Sequence, residues 1–275
     1  MRNPPVLAGA VAAAIALTAV VPPDGELKSE TRLAFERYVR LTEARIGGEL
    51  AGKSPLLWID RQPERQRAQL RSRLERGEII SERMKTQDAG KDIDVNHGMI
   101  HHWVGTVFLR GVPLSKVKAF VQDYDKYPSI FSPTILRSKV ISAGPERYVV
   151  QMRTSMTKVI TVVIDADYLI DYRPISSTRL HSKSVATNLH EVKSAGQPDE
   201  QRIPGDQTSG FLWRLNNYCS FEESPAGTIE QCESVSLTRG IPFGMGWLIN
   251  PMTSGIPRDT LQFTLGKVRL SLEKR

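Results

Sequence analysis

The chain has 275 residues, 40% of them hydrophobic and 24% charged, with a formal net charge of +7. That is enough for one globular domain plus an extension, and it removes any need for a structural metal or several disulfides to hold a core together. The positive balance attracts nucleic acid and anionic lipid alike, so the compartment must decide between them.

At the N-terminus Arg2 precedes the apolar run VLAGAVAAAIALTAVV, Val6 to Val21, which Pro22, Pro23, Asp24 and Gly25 end. A basic start, a short apolar stretch and polar turn residues have the layout of an export signal. Small-x-small positions such as Ala14-Ile15-Ala16 are present. The run is marginal for spanning a bilayer. Residues 1–21 are therefore read as a signal peptide or a membrane anchor. In either case the bulk of the chain is expected outside the cytoplasm, periplasmic or held at the outer face of the inner membrane. That argues against nucleic acid as a partner.

Residues 22–96 read as a helical N-terminal extension. Leu27, Ala34, Tyr38 and Leu41 recur at helical spacing with Phe35, Val39, Thr42 and Ile46 beside them, and Gly47-Gly48 weakens the end of that helix. A second helix begins at Pro63, a residue suited to the first helical position, and runs through PERQRAQLRSRLER to Gly77. Basic residues outnumber acidic ones over 61–85. This is either a solvated face of mixed charge or a surface that touches anionic head groups.

After His97 the texture changes to strands. GMIHHWVGTVFLRG is β-rich and is broken at Gly111-Val112-Pro113. PLSKVKAFVQDYDKYP is amphipathic, with Val117, Phe120, Val121 and Tyr124 on one helical face. Six extended runs follow, separated by turn residues at Ala143-Gly144-Pro145, Arg173-Pro174 and Ser224-Pro225-Ala226-Gly227. Short links between successive strands favour an antiparallel meander. IPRDTLQFTLGKVRLSLEKR closes the chain as a helix whose stripe is Leu261, Leu265, Val268 and Leu272. The predicted architecture is α+β: a curved antiparallel sheet of about seven strands wrapped on a long C-terminal helix. An incomplete closure between sheet and helix leaves an apolar pocket.

Cys219 and Cys232 lie on two of the extended runs. If Ser224 to Gly227 forms a four-residue loop, they stand opposite each other and can bond in an oxidising compartment. If the loop has three residues with a bulge at Gly227, they fall on opposite faces.

The segment GVPLSKVKAFVQDYDKYPSIFSPTILRSKVIS resembles the first helix and following strand of the START-like, helix-grip superfamily. That group includes lipid-transfer START domains, polyketide cyclase/dehydrase-like proteins and coenzyme-Q-binding proteins. The DYDKYP segment, followed by IFSP and RSKVIS, carries the match. The resemblance covers residues 97–275, which are read as the ligand-binding domain. It implies a helix-grip fold, and a lid over the pocket mouth at the end of the first helix, with Tyr124, Tyr127 and Phe131 lining it. The other reading is that these rings plug the sheet end. The fold serves binders and enzymes alike, so it does not by itself give a function.

Alternation supplies further pocket candidates. Trp103, Val107 and Leu109 share a face opposite His102, Val104 and Phe108; Met152, Thr154 and Met156 share another; Trp213 and Leu215 are placed together on a later strand. Phe120, Trp247 and Phe263 complete the set.

Catalytic motifs are not evident. There is no nucleophile elbow, phosphate loop or HExxH, and no catalytic residue is assigned. His97, His101 and His102 cluster in sequence, but His101 and His102 point to opposite faces of a strand, and no metal is assigned. Asp165 and Asp167 share a face and read as solvent-facing acids. Arg153, Arg214 and Glu233 are strand charges that could orient a polar head inside a pocket. The expected function is non-catalytic binding or transfer of a hydrophobic small molecule, lipid or isoprenoid-like, with no cofactor. A cyclase/dehydrase-type enzyme acting on an aromatic or polyketide-like substrate is the first alternative. An envelope interaction module without ligand is the second.

Overall fold

The computed structural model describes residues 26–157, 161–208, 210–240 and 255–273. The apolar run 6–21 and Trp247 lie outside them. Among the described residues no helix is long and apolar enough to cross a membrane.

The N-terminal layer holds α1 (Ser29–Leu50) and α2 (Glu64–Glu75), followed by β1 (Ile80–Arg83) and a small hairpin of β2 (Gln87–Asp88) and β3 (Lys91–Asp92). Next come β4 (Gly98–Arg110), α3 (Leu114–Val121), a 3-10 turn at Tyr124–Lys126 and the short α4 (Tyr127–Ile130). The meander is β5 (Ile135–Ala143), β6 (Arg147–Thr157), β7 (Thr161–Ser176), β8 (Arg179–Lys193), β9 (Gln201–Pro204), β10 (Arg214–Ser224) and β11 (Gly227–Arg239), and α5 (Ile256–Glu273) ends the chain.

Among the described residues nine strands form the main sheet, in the order β1-β4-β11-β10-β8-β7-β6-β5 with β9 beside β8, and their pairings are antiparallel. The two strands beyond the predicted seven, β1 and β9, have four residues each. That is too short for an alternation to stand out in sequence. In α1 the buried stripe is Thr31, Phe35, Tyr38, Thr42, Ile46 and Glu49, so Ala34 and Leu41 stand beside the contact face instead of on it. The helix continues through Gly47-Gly48 to Leu50.

Over β4, β10 and β11 both faces of the sheet are covered. On the outer face Phe35, Tyr38 and Ile46 of α1 pack with Trp213, Tyr218, Val235 and Leu237. Beside them Leu57, Ile59, Leu70 and Leu74 pack on Ile80 and Phe108. On the inner face α5 lies along β4, with lesser contacts to β1, β11 and α3. Its Leu261, Leu265, Val268 and Leu272 are buried as the 4-3-4 spacing predicts, each contributing roughly 1.5–3 kcal/mol of gross burial energy. Gly105 makes this approach possible, because a Cβ there would stand 2.8 Å from atoms of both Leu261 and Leu265.

Candidate ligand-binding site

The inner face is organised in rows of cross-strand neighbours, which by the pleat point the same way. One row runs Val107, Glu230, Phe221, Leu180 across β4, β11, β10 and β8. The next runs Gly105, Cys232, Cys219, Ser182, and the next Trp103, Ser234, Asn217, Ser184. Cys219 and Cys232 stand opposite each other in the Ser224–Gly227 register and are disulfide-bonded, with Cα atoms 4.1 Å apart.

Two observations bear on how the space above these rows is filled. Trp103, Ser234, Asn217, Ser184, Leu215 and Cys219 are only half-buried, although they sit on strands in the middle of the sheet. An interior filled by side chains would bury them. In addition, β11 turns Thr228, Glu230, Cys232, Ser234, Ser236 and Thr238 inward, while Ile229, Val235 and Leu237 face the N-terminal layer. An inward strip that is polar except for a disulfide does not suit contact with a packed apolar core.

At the end of α3 the aromatic segment forms a connected cluster. Ring centroids lie 5.0 Å apart for Tyr124 and Tyr127, 4.8 Å for Tyr127 and Phe131, 5.5 Å for Tyr124 and Tyr148, and 5.8 Å for Tyr148 and Tyr172. Their hydroxyls converge on the Val121 carbonyl, one of those that a helix leaves unpaired in its last turn. Tyr127 donates to it at 2.7 Å and Tyr172 at 3.2 Å, so in the 2.6 Å contact between Tyr124 and Tyr172 the donor is Tyr124. Burial pushes all three phenols up, well beyond the ordinary tyrosine value, and they remain neutral donors. Tyr124 and Phe131 are buried, while Phe120, Tyr127 and Ile130 are half-buried and border the same cluster. The prolines and aromatics that end this helix therefore seal a hydrogen-bonded corner of the inner face.

Glu230 is the residue that sequence reasoning missed. It is 3% exposed, between Val107 and Phe221. Its Oε2 has no hydrogen-bond partner, and its Oε1 lies 3.6 Å from the Cys232 sulfur, which in a disulfide has no proton to donate. Burial without a compensating partner raises the carboxyl from 4.5 to about 8. Its charge is felt at Tyr127 and Tyr172, but both phenols donate to Val121 instead. The signal in the sequence was its parity with Cys232 and Ser234. Using that signal required knowing that this polar face of the strand turns inward.

Among the other candidates, Val107, Phe131, Met152 and Tyr124 are buried in the inner core, and Trp103, Phe120, Tyr127, Met156, Leu215 and Phe263 pack against it half-buried. Trp213 does not join them. It precedes β10, donates its backbone N–H to Leu237, and packs in the outer cluster under α1. The alternation that paired it with Leu215 does not extend past the start of the strand. Trp247 lies outside the described residues.

The three strand charges proposed as head-group partners also lie elsewhere. Glu233 faces outward and is buried beneath α1. There Tyr38 accepts from the Thr86 N–H at 2.8 Å and meets His102 Nδ1 at 2.8 Å, His102 Nε2 meets Glu233 at 2.6 Å, and Arg45 pairs with Glu233. Together these contacts order one chain of donors, Thr86 to Tyr38 to His102 to Glu233. Arg153 faces outward and grips Asp165 through two bonds of 2.6 and 2.7 Å, with Glu200 beside it. Asp165 is consequently buried, not solvent-facing as expected, and Arg202 closes its second oxygen at 2.7 Å. Arg214 is half-buried and donates to the Trp213 carbonyl at 2.7 Å.

The histidines divide as the alternation predicts, but neither strand histidine is solvated. His101 meets Thr238 at 2.9 Å, and burial lowers it to about 4. His102 belongs to the outer network. Among the described residues no three His, Cys, Asp or Glu side chains converge as a metal site. In the basic segment Arg61, Arg71, Arg73, Arg76 and Lys85 are each paired with an acid. A surface groove of about 340 Å³ between the ends of α2, β4 and α5 has its polar groups largely committed: Arg110 and Arg269 donate to the Glu75 and Gly77 carbonyls, and Glu273 accepts from the Arg110 N–H.

No family model matches the chain, and no curated protein does. Solved structures that the chain matches include a STAR-related lipid transfer protein from Xanthomonas axonopodis, 15% identical over 70% of this chain and 99% of that one, TM-score 0.45. They also include the Zhui aromatase/cyclase from Streptomyces sp. R1128, 12% identical over 64% and 96%, TM-score 0.45. Human STARD10 is 10% identical over 75% and 80%, TM-score 0.43. By their descriptions the first of these is a lipid transfer protein and the second an aromatase/cyclase.

Proposed function

We propose that the protein holds a hydrophobic small molecule, lipid or isoprenoid-like, in the hollow between the inner face of β8, β10 and β11 and helix α5, without transforming it. The half-burial of Ser184, Asn217 and Ser234 in the middle of the sheet carries this reading, because a solvent-reachable patch there needs a space above it. The rim is apolar and adaptable, with Trp103, Leu215, Phe263 and Met156 packed against the core from its edge. Burying an alkyl chain supplies about 0.8 kcal/mol per methylene, so roughly ten methylenes offset a good part of the cost of association. An oxidising compartment outside the cytoplasm belongs to the proposal and is supported by the Cys219–Cys232 disulfide.

Cyclase-type chemistry has one observation in its favour, the raised carboxyl of Glu230. A general acid–base pair needs a second group within reach, and the adjacent phenols have committed their protons to Val121. Binding is therefore the better supported reading.

The test is native mass spectrometry of delipidated protein incubated with membrane lipid extract. A bound small molecule at one copy per chain, lost when Ser234→Trp fills the hollow in a variant that still folds, is the expected result. Wild-type protein that binds no extracted lipid would overturn the reading.

A further inference from the structure

Resting on the ligand-holding reading above, we propose that the molecule taken into the hollow carries a hydrogen-bond donor, a hydroxyl or an amine, at its innermost end. Glu230 reads that donor, and amphiphiles headed by carboxylate or phosphate are turned away.

The argument starts from where the protons around Glu230 go. Tyr127 and Tyr172 are the phenols its charge reaches. Both donate to the Val121 carbonyl, and Tyr124 donates to Tyr172. Thr228, two residues along the same strand and facing the same way, donates to the Val112 carbonyl at 2.7 Å. Cys232, on the other side, is locked in the disulfide. These neighbouring groups are thus committed elsewhere, and Oε2 is left enclosed and unpartnered, with the residue 3% exposed. A buried carboxyl without a donor is costly. A ligand that brings the missing donor recovers that cost, and one that does not leaves it in place.

Charge on the inner face gives the direction of selection. Between Leu180 and Glu191 of β8, and along β4, β10 and β11, no inward position holds lysine or arginine. Lys183, Arg153 and Arg45 point to the outer face, to Glu43, Asp165 and Glu233. His101 is inward, but burial and then the charge of Arg83 keep it neutral; Arg83 itself stands exposed at the end of β1 in the Trp103 row, away from the row of Glu230. Lys267 of α5 lies over the Phe263 ring at the rim. An anionic head at the inner end could accept the proton of the neutral Glu230 carboxyl, but it would lose its water with no cation in the same row to replace that water. An alcohol or amine head would supply the donor that the enclosed Glu230 Oε2 lacks.

Alcohol and amine are separated by their response to pH. An alcohol is held by the protonated carboxyl, so its affinity stays level up to the point where Glu230 ionises. A cationic amine displaces the Glu230 proton on binding, so its affinity climbs as pH rises toward about 8.

The experiment displaces Nile red from delipidated full-length protein with 1-decanol, decylamine and decanoate, in wild type and in Glu230→Leu. At neutral pH we expect decanol or decylamine to act at concentrations about tenfold below decanoate, the scale of one satisfied against one unsatisfied buried group. Glu230→Leu should still take up Nile red, melt no lower than wild type and lose the ranking. Decanoate competing as well as the alcohol and the amine, or a ranking unchanged in Glu230→Leu, would overturn the donor assignment and leave the hollow standing. Wild-type protein that takes up neither Nile red nor any decyl compound would remove the hollow itself, and this proposal with it.

Discussion

The buried carboxyl of Glu230 makes a quantitative demand on the pH dependence of stability. Its folded value is about 8 against an ordinary 4.5. Between those values the folded chain holds a proton that the unfolded chain has released, so stability falls as pH rises. The slope is about 1.4 kcal/mol per pH unit for one full proton, and the whole window of about 3.5 units corresponds to an upper bound of roughly 5 kcal/mol. His101 and His181 act in the opposite sense. Burial lowers both from 6.5 to about 4, so the folded chain holds fewer protons than the unfolded one over that interval and stability rises with pH there. Above 6.5 their contribution has ended, and the falling slope from Glu230 stands out, worth about 2 kcal/mol by pH 8. Urea unfolding at constant ionic strength from about pH 5 to pH 9, on wild type and Glu230→Gln, isolates the effect because the histidine contributions cancel in the difference. The stability of wild type relative to the variant should drop by about 2 kcal/mol between pH 6.5 and pH 8 and level off above. Parallel curves would refute the premise that this carboxyl is desolvated and unpartnered.

Two further outcomes follow from the packing. Gly105→Ala sets a methyl against Leu261 and Leu265 of α5 and should lower stability by about 1–3 kcal/mol, read as a lower melting temperature; an unchanged melt would mean that α5 does not lie on β4 as described. Reducing the Cys219–Cys232 bond, which closes a loop of sequence separation 13, should cost about 3 kcal/mol in unfolding experiments with and without reductant, and two free thiols in the non-reduced protein would contradict the bond itself.

Much of the inner layer was legible from periodicity. The stripe Leu261-Leu265-Val268-Leu272 and the helix face Val117-Phe120-Val121-Tyr124 are set by local spacing; the first is buried throughout and the second is buried except at half-buried Phe120. The seven long strands were legible for the same reason, because each is long enough for its alternation to repeat. Trp213 and Glu233 were misassigned for a shared cause. A sheet covered on one side has one wet face, and polarity then reveals which way a side chain points. Over β4, β10 and β11 this sheet is covered on both sides, so a buried Trp or Glu has the same sequence signature whether it meets α1 or the inner core.

The sequence by itself determined which segments become helices and strands, because hydrogen-bond periodicity and side-chain spacing are properties of neighbours along the chain. Only the tertiary structure decided which side of each strand is the inside. On β11 it reversed the usual expectation: Ile229, Val235 and Leu237 are drawn to the N-terminal layer, and Thr228, Glu230, Cys232, Ser234, Ser236 and Thr238 turn toward the interior. The reason is that α1, more than 170 residues away in the chain from that strand, supplies an apolar surface on the face that would otherwise meet water. No local pattern in TIEQCESVSL carries that information.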